Sequence, residues 1–189
     1  MNSEKMDNDK LFLNNYCGEY ENLIIKERND SAIISFRNAI RETVKKNGKL
    51  YFVGNGASAS LSSHAATDFT KQAKIDSRAF NDHNLITALS NDYGYENWVK
   101  EAINSYADKN DLVICISSSG TSKNIINGAI KAKKMGCRVI TFSGFKKTNP
   151  LKKIGKINFW IDSTNYNIIE MTHHIWLLSA VDKIAKSKF

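Results

Sequence analysis

Two rhythms of apolar and polar positions alternate along the chain. Near-continuous apolar blocks at Lys49–Gly54, Asp111–Ile116, Cys137–Phe142 and Ile157–Ile161, with a shorter one at Ser77–Phe80, read as strands buried on both faces. Segments of helical period lie between and around them. Residues 7–28 place Phe12, Tyr16, Tyr20, Leu23 and Ile24 on one stripe. A second helix, capped by Asp30 or Ser31, sets Ile33, Phe36, Ile40 and Val44 on one face and stops at Asn47-Gly48. Further helices are expected from about Ala57 to Lys74, over Asn84–Ser90, around Trp98, Val99, Ala102, Ile103 and Tyr106, and after Ser122. That last one carries Ile125, Ile126, Ala129 and Ile130 and ends at Gly136; a final helix runs from Asn167 to about Lys186. Strand alternating with helix predicts an α/β fold: a five-stranded parallel sheet, doubly wound, with helices on both faces.

Composition narrows the class. At 189 residues, 42% hydrophobic and 24% charged, the chain is long enough for one domain with a sizeable core. No apolar run approaches the ~20 residues that span a bilayer, and the polar Met1–Asp7 stretch lacks a signal core. A cytoplasmic protein without a membrane partner is expected. Cys17, Cys115 and Cys137 are scattered, without a Cys-x-x-Cys, and suit free thiols. The net charge of +8 raises a nucleic-acid reading, but the lysines are dispersed and no aromatics interleave with them. An anionic small ligand fits better than nucleic acid.

Two loops carry the candidate chemistry. Asn55-Gly56-Ala57-Ser58 follows the first strand and opens a helix, a layout in which a tight turn and free amides approach an anion. Ser117-Ser118-Ser119-Gly120-Thr121-Ser122 follows the third strand. It has no Walker lysine, and its hydroxyls at a helix start suit a single phosphate monoester. Ligands of open α/β sheets sit beyond the carboxyl ends of the strands, so the two loops share one crevice if their strands are neighbours. On the helix after the first loop, His64 and Asp68 stand at i and i+4 and share a face. That spacing suits a metal pair, or a base with its orienting partner.

Gly54-Asn-Gly-Ala-Ser58, His64 with Asp68, Asn91-Asp-Tyr-Gly-Tyr-Glu96, Ile116-Ser-Ser-Ser-Gly-Thr-Ser122 and Ile169-Glu-Met-Thr-His173 occur in this order. Together, over roughly residues 48–185, they resemble the SIS (sugar isomerase) domain and, within it, the phosphoheptose isomerases. The resemblance implies a flavodoxin-like three-layer fold over 48–189. Residues 1–47 would form two helices packing on that domain or at an oligomer interface. It also implies a homotetramer with sites between subunits, and conversion of sedoheptulose 7-phosphate to a D-glycero-heptose 7-phosphate. Residue by residue, Ser117, Ser118, Ser119 and Ser122 would bind phosphate, and Asn55, Gly56, Ala57, Ser58, Asn91 and Asp92 would line the sugar. Glu170 would take the place of the family's glutamine, a substrate and metal ligand. His64, Asp68 and Glu170 could hold a divalent ion such as zinc.

Aldose–ketose isomerisation through an enediol needs a base for a carbon-bound proton and an acid or metal at the carbonyl. Asp68 stands where the family has Glu, about an ångström shorter, and misplacement of that order costs about 10²-fold in rate. The family's last-helix histidine falls at Leu178. Glu170, His174 and Leu178 are at i, i+4 and i+8, so His174 faces with Glu170 and is the candidate replacement acid, with Asp68 the candidate base. His173 and Trp176 read as structural. The alternative is a non-catalytic SIS-domain protein that binds a phosphosugar or a protein such as the replication initiator. The missing histidine and the shortened carboxylate suit that alternative; the intact loops suit the isomerase.

Overall fold

The computed structural model describes residues 3–26 and 29–186. The end of the first expected helix, at residues 27 and 28, lies outside the described residues. Helix α1 covers Ser3–Glu21 and runs into a π-helical turn, Asn22–Lys26; α2 covers Asp30–Lys45. Then follow β1 Leu50–Val53, α3 Ala57–Lys71, β2 Ser77–Ala79, α4 His83–Tyr93, α5 Trp98–Tyr106, β3 Leu112–Ile116, α6 Lys123–Lys134, β4 Arg138–Ser143, β5 Ile157–Trp160 and α7 Tyr166–Ala185.

All strands are parallel, in the order β2-β1-β3-β4-β5. The chain steps outward from β1 to β2, then crosses back to lay β3 on the other side of β1. The two candidate loops therefore leave adjacent strands, with Val53 paired to Cys115 at their ends. Successive side chains of a strand point to opposite faces, so one strand serves two cores. Leu50, Phe52, Leu112, Ile114, Ile140 and Phe142 pack with α2, α3 and α7. Tyr51, Val53, Val113, Cys115 and Val139 pack with α5 and α6. Continuous apolar strands follow from this double burial. Phe36 of α2 is fully buried and lies edge-on to Phe69, Phe142 and Phe159, at centroid distances of 6.5, 6.1 and 5.8 Å, which seats α2 on the sheet, while α1 meets α7.

Several boundaries differ from expectation for local reasons. Asn29 caps α2, its side chain accepting from Ala32 N at 3.0 Å, so Asp30 and Ser31 are inside the helix. Helix α3 stops at Lys71 because Lys74 turns left-handed (φ +57°) and Ile75 N bonds back to Phe69 O. Helix α4 runs past Ser90, its expected end, to Tyr93 and takes in Asn91 and Asp92. Ile130 is exposed rather than on the buried face of α6. Trp176 is in the core beside Phe159, and Leu178 packs at its margin.

Candidate functional site

The serine loop forms a polar cradle of about 140 Å³. Ser117, Ser118, Ser119 and Ser122 line it, with Asn55 and Ser58 from the neighbouring loop and Tyr166 and Glu170 from α7. Backbone bonds fix its shape: Gly120 N to Ser117 O at 2.9 Å, Gly144 N to Ser118 O at 2.8 Å and Leu151 N to Gly120 O at 3.1 Å. Gly120 is required twice over. Its φ is +66°, and a Cβ there would stand 2.2 Å from Asn149 Oδ1. Asn149 is buried and itself tied to Ser143 Oγ and Lys152 N. Ser122 occupies the N-cap of α6 but makes no capping bond; its hydroxyl accepts from Ser117 Oγ at 3.1 Å. The first-turn amides of α6 therefore remain available to an anion.

The turn after β1 is a poorer anion site than it looks in sequence. Ser58 N, Ala59 N and Ser60 N are already bonded to Asn55 O and Gly56 O. Gly54 lets the strand end press against α3, where a Cβ would lie 2.6 Å from Ser58 atoms. Asn55 is held by a partner that the sequence did not single out. Its amide donates to Asn124 Oδ1 at 3.0 Å and accepts from Asn124 Nδ2 at 2.8 Å. Tyr95 Oη donates to the same Asn55 Oδ1 at 3.2 Å. Asn124 is buried on α6, one residue before the apolar stripe begins, and a polar residue there was the available signal. Asn91 and Asp92 are exposed, bonded to each other, and line neither this cradle nor the cavity beside it. Their segment reaches the site through Tyr95 instead.

Glu170 is the shared wall between the cradle and a larger cavity of about 530 Å³. Its Oε1 accepts from Ser118 Oγ at 3.2 Å. His64 and His174 line the larger cavity, with Ala57, Tyr16 and Met171 around them; Gly56 is exposed beside it. His174 Nε2 lies 2.9 Å from His64 Nδ1, with the rings edge-on at 84°. His64 Nε2 faces Asp68 Oδ2 at 3.2 Å. A carboxylate beside Nε2 favours the His64 tautomer with its proton there, and a bare Nδ1 then accepts from His174 Nε2–H. That leaves His174 Nδ1 as a free acceptor. Burial, and next the charge of His64, hold the His174 pKa below the usual imidazole value, with Asp68 opposing. Asp68, expected as the base, lines neither cavity; it reaches them through His64.

His173 is the contrasting neighbour. It is fully buried, its Nε2 is 3.3 Å from Ser143 O, and burial pushes its pKa down to about 4. It packs edge-on against Phe142.

The zinc set expected from His64, Asp68 and Glu170 is not assembled within one chain. No group of three or more His, Cys, Asp or Glu side chains converges among the described residues. Both nitrogens of His64 are engaged by protein groups, and Glu170 faces Ser118. These residues, as placed, do not fit a metal ion.

The SIS domain family model matches residues 15–144. A phosphoheptose isomerase of Helicobacter pylori (strain HPAG1) is 37% identical over 109 residues, 54% of this chain and 57% of that protein. One of Aliarcobacter butzleri (strain RM4018) is 33% identical over 138 residues, 70% of this chain and 72% of that protein. The chain thus matches little more than half the length of the first relative and nearly three quarters of the second. In fold, it is similar to a phosphoheptose isomerase of Francisella tularensis, with a TM-score of 0.84 at 21% identity, over 99% of this chain and 100% of that one.

Proposed function

The chain belongs to the SIS domain family and, within it, to the phosphoheptose isomerases, and from this we propose that it isomerises a phosphorylated sugar, sedoheptulose 7-phosphate, to the D-glycero-heptose 7-phosphate. One observation carries the reading. Glu170 joins a serine cradle suited to a phosphate to a cavity in which two imidazoles share a proton.

The phosphate sits among Ser117, Ser118, Ser119 and Ser122, at the start of α6, and the open-chain sugar runs past Glu170 into the larger cavity. Asn55, Gly56, Ala57 and Ser58 form the wall on the β1 side. His174 Nδ1 takes the proton from C1, and the C–H electron pair becomes the C1=C2 bond of the enediolate. As it does so, His174 passes its Nε2 proton to His64 Nδ1, and Asp68 holds the imidazolium that forms. Glu170 moves the hydroxyl proton from O1 to O2. The imidazole pair then returns its proton to C2, and no proton is gained or lost. Asp68, expected as the base, acts through His64, and His174, expected as the replacement acid, serves as the base instead, while Glu170 supplies the proton at O2.

Other features support the wider reading. An oligomer such as the family's homotetramer is supported by Leu11, Phe12 and Leu13, three consecutive exposed apolar residues of α1. No helix among the described residues is long and apolar enough to cross a membrane. The three cysteines are free thiols, which suits a reducing compartment such as the cytoplasm.

The test is direct. Purified protein incubated with sedoheptulose 7-phosphate yields the aldose phosphate, followed by chromatography of the products or by exchange of the C1 proton with deuterated water. Measurable phosphosugar binding with neither turnover nor exchange overturns the isomerase reading.

A further inference from the structure

The N-terminal helix reaches the larger cavity through Tyr16, which lines it together with His64, Glu170 and His174. Nothing in the isomerase chemistry above uses this residue. Its ring is gripped along one stripe of α1. Phe12 stacks on it at 5.8 Å and 22°, and Tyr20 meets it edge-on at 5.3 Å and 82°. The hydroxyls of Tyr16 and Tyr20 are 3.2 Å apart. Tyr20 Oη also donates to the carbonyl of Asn167, in the first turn of α7, at 3.2 Å. Burial, and next its bond to Tyr16, push the Tyr20 pKa upward, so this phenol keeps its proton.

Proton counting then gives a direction to the pair. A phenol has one proton. That of Tyr20 is used at Asn167, so the bond between the tyrosines runs from Tyr16 O–H to the Tyr20 oxygen. The Tyr16 proton is thereby spent inside the protein. Tyr16, which lines the cavity, is then left with an oxygen lone pair and a ring to offer a ligand, and no donor.

We infer that Tyr16 is a specificity-determining residue of the phosphosugar site, accepting a hydrogen bond from a sugar hydroxyl at the end remote from the phosphate. The inference rests on the isomerase reading. It selects for an alcohol at that position. A carboxylate or a second phosphate there would set acceptor against acceptor, leaving both unpaired.

Two isosteric variants test it, with thermal unfolding as the check on folding. Dissociation constants are measured by titration calorimetry for sedoheptulose 7-phosphate and for inorganic phosphate. Tyr16→Phe keeps the ring and removes the acceptor; it weakens the phosphosugar about 3- to 10-fold and leaves inorganic phosphate unchanged. Tyr20→Phe returns a free proton to Tyr16, and the variant binds the corresponding sugar-acid phosphate more tightly than the parent chain does. Unchanged phosphosugar affinity in Tyr16→Phe overturns the inference. An equal loss for inorganic phosphate does so too, since it would mark a structural role. A parent chain that binds inorganic phosphate but not the phosphosugar overturns the isomerase reading itself, and the Tyr16 assignment with it.

Discussion

The serine cradle and the histidine pair lie on either side of Glu170, yet they are built by opposite means. The cradle is centred on six consecutive residues at one strand–helix junction. Backbone bonds and a buried Asn149 set its shape, and none of its serines titrates. The histidine pair joins residues 110 positions apart, and depends on how α3 packs against α7 and on which imidazole nitrogen carries the proton. On the proposed function, anion binding rests on one loop, its backbone and its hydroxyls. The proposed proton transfer rests on helix packing, where one methylene or one pH unit is felt.

The largest expected effect separates the two halves by chemistry. Asp68→Asn removes the charge behind His64 and lowers turnover by about 10²- to 10⁴-fold, while inorganic phosphate binds as before. Steady-state rates beside calorimetry decide it, and a variant within about tenfold of the parent rate would remove Asp68 from the proton path.

The next effect separates the two neighbouring histidines. His173 has a folded pKa of about 4 against an ordinary 6.5. Below 6.5 the unfolded chain gains a proton that the native chain refuses, so stability falls as the pH drops from 6.5 towards 4 and levels off beneath that. The loss amounts to about 3 kcal/mol. Urea midpoints at pH 7 and pH 4 measure it. His173→Leu should lack this part of the acid sensitivity, whereas His174→Gln should retain it and lose turnover.

The smallest effect tests the cradle. Ser119→Ala with Ser122→Ala weakens phosphosugar affinity about 10- to 30-fold, with the rate at saturation nearly unchanged. A pair of substitutions that alters the saturated rate and not the affinity would reverse the division of labour between the halves.

Much of this was legible in the sequence because it is local. Apolar blocks gave the strands, and Asn47-Gly48 marked the end of α2, where Asn47 does turn left-handed. The polar run Ser117–Ser122 announced the cradle. What stayed hidden needed two distant elements at once. That Asn55 would find Asn124, and that His174 would meet His64, depends on packing that no window of residues contains. The stripe of Phe12, Tyr16 and Tyr20 read as packing, and half of that is right: the rings do pack, but Tyr16 also opens on the cavity. Asn91 and Asp92 lie past the expected end of α4 at Ser90 and are helical because α4 continues to Tyr93, capped by Asp82 at one end and Gly94 at the other.

The reciprocal amide bond between Asn55 and Asn124 has a consequence for binding as a process. Two side chains that satisfy each other, with Tyr95 closing the remaining lone pair, are already motionally restricted before any ligand arrives. Freezing a rotamer-rich side chain on association costs about 0.5–1.5 kcal/mol. Here that entropy was surrendered when the chain folded, so the proposed sugar wall stands preorganised before any ligand arrives.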